Sequence, residues 1–428
     1  MGLWRVVKVI KLVVHRCSGC RGGLWTTGFL SVPRRKVPTV LIDLDVAPAS
    51  SERPPARVTG SRRLARVVAV AGLVLLLLSG AAVLPRGAGV VEVLRADGVG
   101  LSASLLTTQA AYIARTDGRV EAIPLCEGCP SWRAEITSGQ RLQLAGGTLV
   151  VDSNDAGVAT FLDARTGTVL WSQDGFPFVQ LVGGRVAEWS PDDGVLRLRE
   201  LRTGRLFWKR PASAFAGDET RVVLLDGTRA AVYAAADGRE LTGPRALSVR
   251  GEWDFSVPGA AVQLVGERLI AISGTSVAAF RLDGLEREWR TPVVSPFGAV
   301  ACGGGLLCVV GFEGVATLDP ASGRVRWSGP RWRLVSESDV LTGDDGRSAR
   351  VDLATGRVTH EFGRGRPVGD LVFYPEGDRT TLVGAGDGRV RGVIPRVTPD
   401  ACQRAGDLLS CLRHDLTVSV WRFARENH

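Results

Sequence analysis

The sequence is poor in the residues on which many enzymes depend. Its 428 residues include only four histidines, and its asparagines are limited to Asn154 and Asn427. Histidine is the commonest metal ligand and the side chain most often used in acid–base catalysis, so little material is available for histidine-based sites. Lysine is also scarce, whereas glycine is abundant at 53 residues. A hydrophobic content of 45% supports a large core and excludes wholesale disorder.

One long apolar run stands near the start of the chain. Residues Val67 to Leu84 form an 18-residue stretch without a charged side chain, close to the length that a helix needs to cross about 30 Å of hydrocarbon. A buried core helix would show a polar stripe, and a cleavable signal would have a shorter apolar core nearer the start. The run therefore predicts a single transmembrane helix over residues 67–84.

The run divides the charge of the chain unequally. Residues 1–66 carry thirteen Lys and Arg against three acidic residues, whereas the remainder carries 40 basic and 41 acidic residues. Basic flanks stay on the cytoplasmic side of a membrane. We therefore predict a basic, largely disordered cytoplasmic tail (1–66), a linker (85–89) and an extracytoplasmic domain (90–424) at the cell membrane. The near-neutral outer domain argues against nucleic-acid binding, which requires a basic surface.

A nine-residue unit recurs in the outer part of the chain. It reads Asp163-Ala-Arg-Thr-Gly-Thr-Val-Leu-Trp171 in its clearest copy and returns, with the same offsets, at 200–208 and 319–327. The glycine supplies the positive φ of a tight turn, the acid and hydroxyl bond turn amides, and the tryptophan packs on a neighbouring module. The predicted turn and docking residues are Asp163, Thr166, Gly167, Trp171, Thr203, Gly204, Trp208, Trp289, Asp319, Gly323, Trp327, Gly356 and Trp421.

The spacing of the turn glycines predicts a repetitive β fold. Consecutive turn signals lie 32 to 49 residues apart, close to the period of about 40 to 45 in propeller blades. Short β-branched runs flank them, such as Thr148 to Val151 and Arg221 to Leu225, and are typical of strands. We predict an all-β, single β-propeller of eight blades, with seven as the alternative. The turn glycines are Gly118, Gly167, Gly204, Gly238, Gly284, Gly323, Gly356 and Gly388.

A propeller ring also requires its two ends to meet. Closure protects strand edges that would otherwise invite aggregation. We therefore expect the strand near Val90 to Arg95 to pair with the C-terminal strand Val418 to Phe423.

The Asp-x-x-Thr-Gly-x-x-x-Trp unit resembles the pyrroloquinoline-quinone-type repeat. This family of β-propellers includes quinoprotein alcohol dehydrogenases and a bacterial outer-membrane assembly lipoprotein. The resemblance covers about residues 90–424, with three good copies and several degraded ones. Membrane-anchored actinobacterial proteins of this repeat type look like the nearest relatives.

Six of the eight cysteines lie after the apolar run and form three local pairs. A Gly-Asp turn at 406–407 makes Cys402 and Cys411 a non-hydrogen-bonded pair of opposing residues, close enough for a disulfide. The segment Cys302 to Cys308 is symmetric about Gly305, so a three-residue hairpin loop is expected to bring its two thiols face to face in the same way. Paired cysteines agree with an oxidising compartment.

The third pair, Cys126-Glu-Gly-Cys129, allows two interpretations. A redox CxxC motif belongs at the start of a helix, which lowers the thiol pKa. Here Pro124 and Pro130 bracket the motif within a strand-rich stretch, which favours a small structural disulfide. A further pair, Cys17 and Cys20, would be only half of a zinc site.

The sequence indicates no catalytic, metal-binding or cofactor-binding residue. Quinoprotein dehydrogenase activity, which the resemblance also implies, would need a calcium and quinone pocket and typically a disulfide of adjacent cysteines, and no Cys-Cys dipeptide is present. Adjacent acids such as Asp192-Asp193 are typical of solvated turns. We predict a non-catalytic, monomeric propeller without a cofactor that binds a protein or cell-envelope partner. The alternatives are a quinone- or metal-dependent oxidoreductase and a sensor that signals to the tail.

Overall fold

A computed structural model of the protein describes residues 89–424, apart from 137–138, 154–156, 176–177, 191–192, 248–261 and 337. Within these residues, 36 strands form nine four-stranded sheets, and the one helical element is a short 3-10 turn at Gly303–Gly305. The predicted transmembrane run, Cys17 and Cys20 lie outside the described residues. Among the described ones, no helix is both long and apolar enough to cross a membrane.

Eight of the sheets, blades 1 to 8, are each built from four strands that follow one another in the chain. The first strand of the described chain, which belongs to none of them, is β1 (Val90–Asp97). Blades 1 and 2 contain β2 (Leu101–Leu106), β3 (Ala110–Arg115), β4 (Arg119–Pro124), β5 (Trp132–Glu135), β6 (Arg141–Ala145), β7 (Thr148–Ser153), β8 (Val158–Asp163) and β9 (Val169–Asp174). Blades 3 and 4 contain β10 (Phe178–Val182), β11 (Arg185–Ser190), β12 (Val195–Glu200), β13 (Leu206–Pro211), β14 (Ala214–Gly217), β15 (Arg221–Asp226), β16 (Arg229–Ala234) and β17 (Glu240–Ala246).

The next four blades repeat this pattern. Blades 5 and 6 contain β18 (Val262–Val265), β19 (Arg268–Ile272), β20 (Ser276–Arg281), β21 (Arg287–Pro292), β22 (Pro296–Cys302), β23 (Leu306–Gly311), β24 (Gly314–Leu318) and β25 (Val325–Gly329). Blades 7 and 8 contain β26 (Trp332–Val335), β27 (Val340–Gly343), β28 (Ser348–Val351), β29 (Val358–Gly363), β30 (Arg366–Val368), β31 (Leu371–Glu376), β32 (Arg379–Gly384) and β33 (Val390–Pro395).

Blade 9 combines the two ends of the described chain. Its strands are β34 (Val397–Ala405), β35 (Leu408–Arg413), β36 (Thr417–Phe423) and, as the fourth, β1. β1 runs antiparallel to β36, with Val90 opposite Phe423 and Asp97 opposite Thr417. The predicted pairing of the two ends is therefore confirmed.

The hydrophobic core is divided among the contacts between neighbouring blades. Each blade is covered on both faces, so its strands carry runs of buried apolar residues. Phe161 and Val186, for example, belong to one cluster between blades 2 and 3. A cluster of this kind occupies each of the nine junctions, including the one between blades 9 and 1, where Val420 and Leu106 meet. Nine blades with nine packed junctions form a closed ring.

Two faces of this ring differ in the connections they carry. We call "repeat face" the one with the turns between the first and second and between the third and fourth strands of each blade. We call "link face" the one with the turns between the second and third strands and with the links from blade to blade. The first strands of neighbouring blades contact one another, as β2 and β6 do, so these strands surround the centre of the ring.

The prediction of eight blades, with seven as the alternative, is wrong: the ring has nine. Seven of the eight turn glycines lie between the third and fourth strands of blades 2 to 8, whereas Gly118 lies between the second and third strands of blade 1. Blade 9 lacks the glycine turn that joins a third strand to a fourth, because its fourth strand, β1, comes from the other end of the chain. Its remaining signal is Asp415-Leu416 in the turn between β35 and β36, with Leu416 at φ +59°.

Candidate functional site

The repeat unit forms the turn between the third and fourth strands of a blade, on the repeat face. In blade 2, Gly167 has a φ of +74°. A Cβ atom at this position would lie 2.5 Å from ring atoms of Trp132, on the fourth strand of blade 1. Only glycine fits both the backbone angle and the space above the indole. The turn of one blade therefore rests on an aromatic ring of the blade before it.

The same contact recurs around the ring. A Cβ atom at each of the corresponding turn glycines would overlap the tryptophan of the preceding blade at less than 3 Å. The pairs are Gly204 with Trp171, Gly238 with Trp208, Gly323 with Trp289, and Gly356 with Trp327. The unit is thus a clamp between neighbouring blades.

Hydrogen bonds complete several of these clamps. The indole N–H of Trp132 donates to the carbonyl of Ala164 at 2.9 Å, three residues before Gly167. The indole N–H groups of Trp171 and Trp289 donate to the carbonyls of Leu201 and Pro320 at 3.0 and 2.9 Å. Each of these carbonyls also lies three residues before the turn glycine of the following blade. These bonds satisfy buried carbonyls at the blade junctions.

Blade 5 departs from the pattern at its turn. Gly284 was counted as a turn glycine, but the residue with positive φ is Leu285, at +56°. Trp289 follows Leu285 at the same four-residue distance that separates Gly167 from Trp171. The shift by one residue explains why the copy is hard to see in the sequence.

Three residues occupy the position that corresponds to Trp171 in their blades but were not predicted from the sequence. Either no complete repeat unit precedes the residue, or its side chain is not a tryptophan. Trp132 follows the Cys126 and Cys129 loop instead of a glycine turn. Thr242 donates from its hydroxyl to the carbonyl of Leu282 at 2.7 Å, in place of an indole. The ring of His360 lies 3.0 Å from where a Cβ of Gly388 would be. Trp421 is at a different place, buried on β36 between blades 8 and 9.

The acid of the unit organises the turn. Asp163 Oδ1 accepts the backbone N–H groups of Arg165 and Thr166 at 3.0 and 3.1 Å, and Thr203 donates to Glu200 at 2.7 Å. In blade 6, Asp319 accepts a side-chain hydrogen bond from Arg326 and the backbone N–H of Ser322, and these bonds lower the pKa of Asp319 to about 2. Its carboxylate is therefore bound best in the ionised form.

This pKa leads to a pH-dependent prediction. Because the pKa of Asp319 is lower in the folded chain than its ordinary value of 3.8, its stabilising effect is complete above that value and is lost as the pH falls to about 2. Asp319→Asn is therefore expected to unfold at a lower temperature than the wild type at pH 6, with most of this difference lost at pH 2. Thermal unfolding followed by circular dichroism would measure this. An equal difference at both pH values would contradict the role of the charge.

The structure contains all three predicted disulfides of the propeller. Cys402 and Cys411 are directly opposite on β34 and β35, with Cα atoms 4.1 Å apart. Cys302 and Cys308 are bonded with Cα atoms 5.8 Å apart, but the expected register is wrong: Cys302 lies opposite Leu306, because the loop closes one residue earlier. The two thiols therefore join as a diagonal pair. Cys126 and Cys129 close the loop between β4 and β5.

The link face carries an exposed apolar surface that sequence reasoning missed. We call "aromatic surface" the residues Val294, Phe297 and Phe312 of blade 6 and of the link that leads to it. Their exposed fractions are 56%, 43% and 72%, and the two rings meet edge to face with centroids 5.3 Å apart. An aromatic residue within the turn Gly311 to Gly314, where polar residues are usual, was the available signal.

The backbone holds the aromatic surface in place. The N–H of Phe312 donates to the carbonyl of Ser295 at 3.2 Å, and the N–H of Ser295 donates to Gly274 at 3.2 Å. Gly314 has a φ of +125°, and a Cβ there would lie 2.5 Å from the carbonyl oxygen of Gly329. The turn that presents Phe312 is thus fixed to the link between blades 5 and 6 and to β25.

Exposed large apolar side chains in contact with one another mark surfaces that bind proteins more often than surfaces that do chemistry. Burying a phenylalanine contributes about 1.5 to 3 kcal/mol, so these two rings can supply much of the free energy of a moderate complex. Within the described ranges, no group of three or more potential metal ligands lies together.

The closed ring, the tryptophan clamps and the exposed link face define a β-propeller built from pyrroloquinoline-quinone-type repeats. Such a fold presents loops and rims suited to binding other proteins. Comparison with protein families agrees: residues 116–362 match the family described as outer membrane protein assembly factor BamB. Because the match spans more than half of the chain, the protein belongs to this family.

Three solved structures are similar to this chain at low sequence identity. BamB from Moraxella catarrhalis is 14% identical, with 79% of this chain and 99% of that chain covered and a TM-score of 0.46. The computationally designed Ika8 protein is 14% identical, covered over 78% and 99%, with a TM-score of 0.45. The C-terminal WD40 domain of Sif2 is 9% identical, covered over 78% and 99%, with a TM-score of 0.46. No curated protein sequence matches the chain.

Proposed function

We propose that the protein is a single-pass, membrane-anchored propeller outside the cytoplasm that binds a protein partner of the cell envelope and has no catalytic role. The anchor is the apolar run at 67–84, and the basic residues before it place the tail inside. The three disulfides support an oxidising compartment.

The observation that carries the binding role is the aromatic surface. Phe312 is 72% exposed although it stands in a turn whose backbone is fixed by hydrogen bonds. Two phenylalanine rings exposed to water do not stabilise a monomeric protein. An apolar contact surface that is already ordered, however, lowers the free-energy cost of binding a partner. The description of the family as an assembly factor is consistent with a role in holding other proteins.

Substitution of Phe312 tests this role. Phe312→Glu is expected to reduce the yield of the partner that co-purifies with the full chain from native membranes by at least tenfold, since a charge replaces about 1.5 to 3 kcal/mol of apolar burial. Partners would be identified by quantitative mass spectrometry after crosslinking in intact cells.

Val99→Glu is the matched control. Val99 is also on the link face and 61% exposed, in the link between β1 and β2. It should retain the same partner at the wild-type yield. Equal loss in both variants, or a partner set that Phe312→Glu leaves unchanged, would contradict the proposed surface.

The orientation in the membrane has its own test. An epitope fused after residue 428 is expected to bind antibody in cells whose outer envelope layers have been opened while the cytoplasmic membrane stays intact. An epitope fused before residue 1 should bind antibody only after the cytoplasmic membrane is permeabilised. Antibody access to the N-terminal epitope alone in unpermeabilised cells would overturn the proposed orientation.

A further inference from the structure

The disulfide Cys126–Cys129 differs from the other two in its position. The other disulfides link strands within a sheet, and each includes a fully buried residue, Cys308 or Cys411. Cys126 is exposed and Cys129 half-buried, in the connection between β4 and β5 on the repeat face. This disulfide lies where a thiol from another molecule can reach it.

The loop keeps its shape through contacts that do not involve sulfur. The N–H of Leu125, whose side chain is buried between blades 9 and 1, donates to the carbonyl of Gln109 at 2.9 Å. The guanidinium of Arg422 donates to the carbonyl of Leu125 at 3.3 Å. On the far side, Trp132 is fixed by its bond to Ala164. Opening the disulfide therefore leaves both ends of the loop anchored.

The tip of the loop is open to solvent. Gly128 has a φ of +71°, and a Cβ atom there would have no other atom within 4 Å. Cross-linking two residues three positions apart also removes little chain entropy from the unfolded state. The disulfide thus adds little to stability, in contrast to one that ties two strands together.

A cleft of about 270 Å³ lies next to the loop. Glu121, Ile123 and Pro124 line it from the strand that precedes Cys126, and Ser131, Trp132 and Arg133 line it from the segment that follows Cys129. The cleft is open to solvent and combines the apolar surfaces of Ile123 and Trp132 with the ion pair of Glu121 and Arg133, whose charged atoms lie 3.3 Å apart.

We propose that the Cys126–Cys129 disulfide is a redox site that accepts two electrons from a dithiol of a protein held in this cleft. A thiolate of the dithiol attacks Sγ of Cys126, the bond between the two sulfurs breaks, and Cys129 leaves as a thiolate. The second thiol of the dithiol then attacks the mixed disulfide. The dithiol becomes a disulfide, and Cys126 and Cys129 end as thiols after taking up its two protons. Exposed disulfides are the labile ones in such exchange.

Titration of the full chain with glutathione buffers tests this site, which does not depend on the proposed partner of the aromatic surface. Alkylation followed by peptide mass spectrometry would report each cysteine pair. Cys126 and Cys129 should be half reduced at a ratio of reduced to oxidised glutathione at least tenfold lower than the ratio that half reduces either sheet disulfide. The protein with the reduced loop should have a thermal unfolding temperature within about 2 °C of that of the oxidised protein. Half reduction of the loop at a glutathione ratio within tenfold of the ratio for either sheet disulfide would overturn the proposal.

A dithiol peptide tests the exchange itself. Incubation with a reduced peptide that contains two cysteines should yield one oxidised peptide for each loop reduced. Cys129→Ser, which leaves Cys126 as a thiol, should form a stable mixed disulfide with a single-cysteine version of the peptide supplied as its disulfide dimer, because no second thiol is present to resolve it. The control Cys402→Ser, which leaves the buried Cys411, should form none while folded. Equal labelling of the two variants, or loop reduction without peptide oxidation, would contradict the assigned electron transfer.

Discussion

Replacing Gly323 with alanine is expected to lower the free energy of unfolding of the propeller by about 2 to 5 kcal/mol. Gly323 has a φ of +68°, which costs an alanine about 1 to 2 kcal/mol. The added Cβ would lie 2.4 Å from the ring of Trp289. The indole must shift or the turn must move, and overpacking of this kind costs about 1 to 3 kcal/mol more. Urea unfolding followed by tryptophan fluorescence would measure the change.

Gly227→Ala separates the two contributions. Gly227 has a similar φ of +56°, in the turn between β15 and β16, but a Cβ there would have no other atom within 4 Å. This variant should lose only the backbone part, about 1 to 2 kcal/mol. If the two variants lose the same stability, the clamp between Gly323 and Trp289 contributes nothing.

The second large effect is expected at the junction between blades 8 and 9. Trp421→Ala should lower the free energy of unfolding by about 3 to 5 kcal/mol, the usual cost of removing a large buried aromatic side chain. Trp421 is 2% exposed and packs with Leu371, Phe373 and Leu382 of blade 8. Its loss leaves a cavity beside the strand that joins both ends of the described chain. Thermal and urea unfolding would report it.

Val91→Ala is the control for this prediction. Val91 lies on β1, opposite Arg422, and is 62% exposed. Its truncation should change the free energy of unfolding by less than about 0.5 kcal/mol, as is usual for exposed sites. A loss for Val91→Ala as large as that for Trp421→Ala would contradict the assignment of the large effect to burial of the indole.

Local features of the fold could be predicted from the sequence because each depends on residues close together in the chain. The turn at Gly406 sets the register that places Cys402 opposite Cys411, and strict offsets reveal the unit that ends at Trp171. The pairing of β1 with β36 followed from a general requirement for closure, without any local signal.

The number of blades could not be predicted because the missing evidence is not local. Blade 9 has no turn between its third and fourth strands, because these come from opposite ends of the described chain, and a leucine, Leu416, takes the positive φ in the turn between its second and third strands. The turn at Leu285 was hidden because a leucine takes the backbone angle expected of a glycine. The aromatic surface was also not predicted, because Phe297 lies at the start of β22 and Phe312 just after the end of β23, and the pairing of these two strands brings them together.

The split origin of blade 9 has a consequence for biosynthesis. A nascent chain carries β1 without a partner until β36, the last described strand, has been made. Throughout that time, β1 and the incomplete sheet present free strand edges, which are prone to aggregation. A premature stop before residue 417 would remove β36 and leave both edges open. Completion of blade 9 therefore depends on residues 417–423, which form the last strand of the described chain.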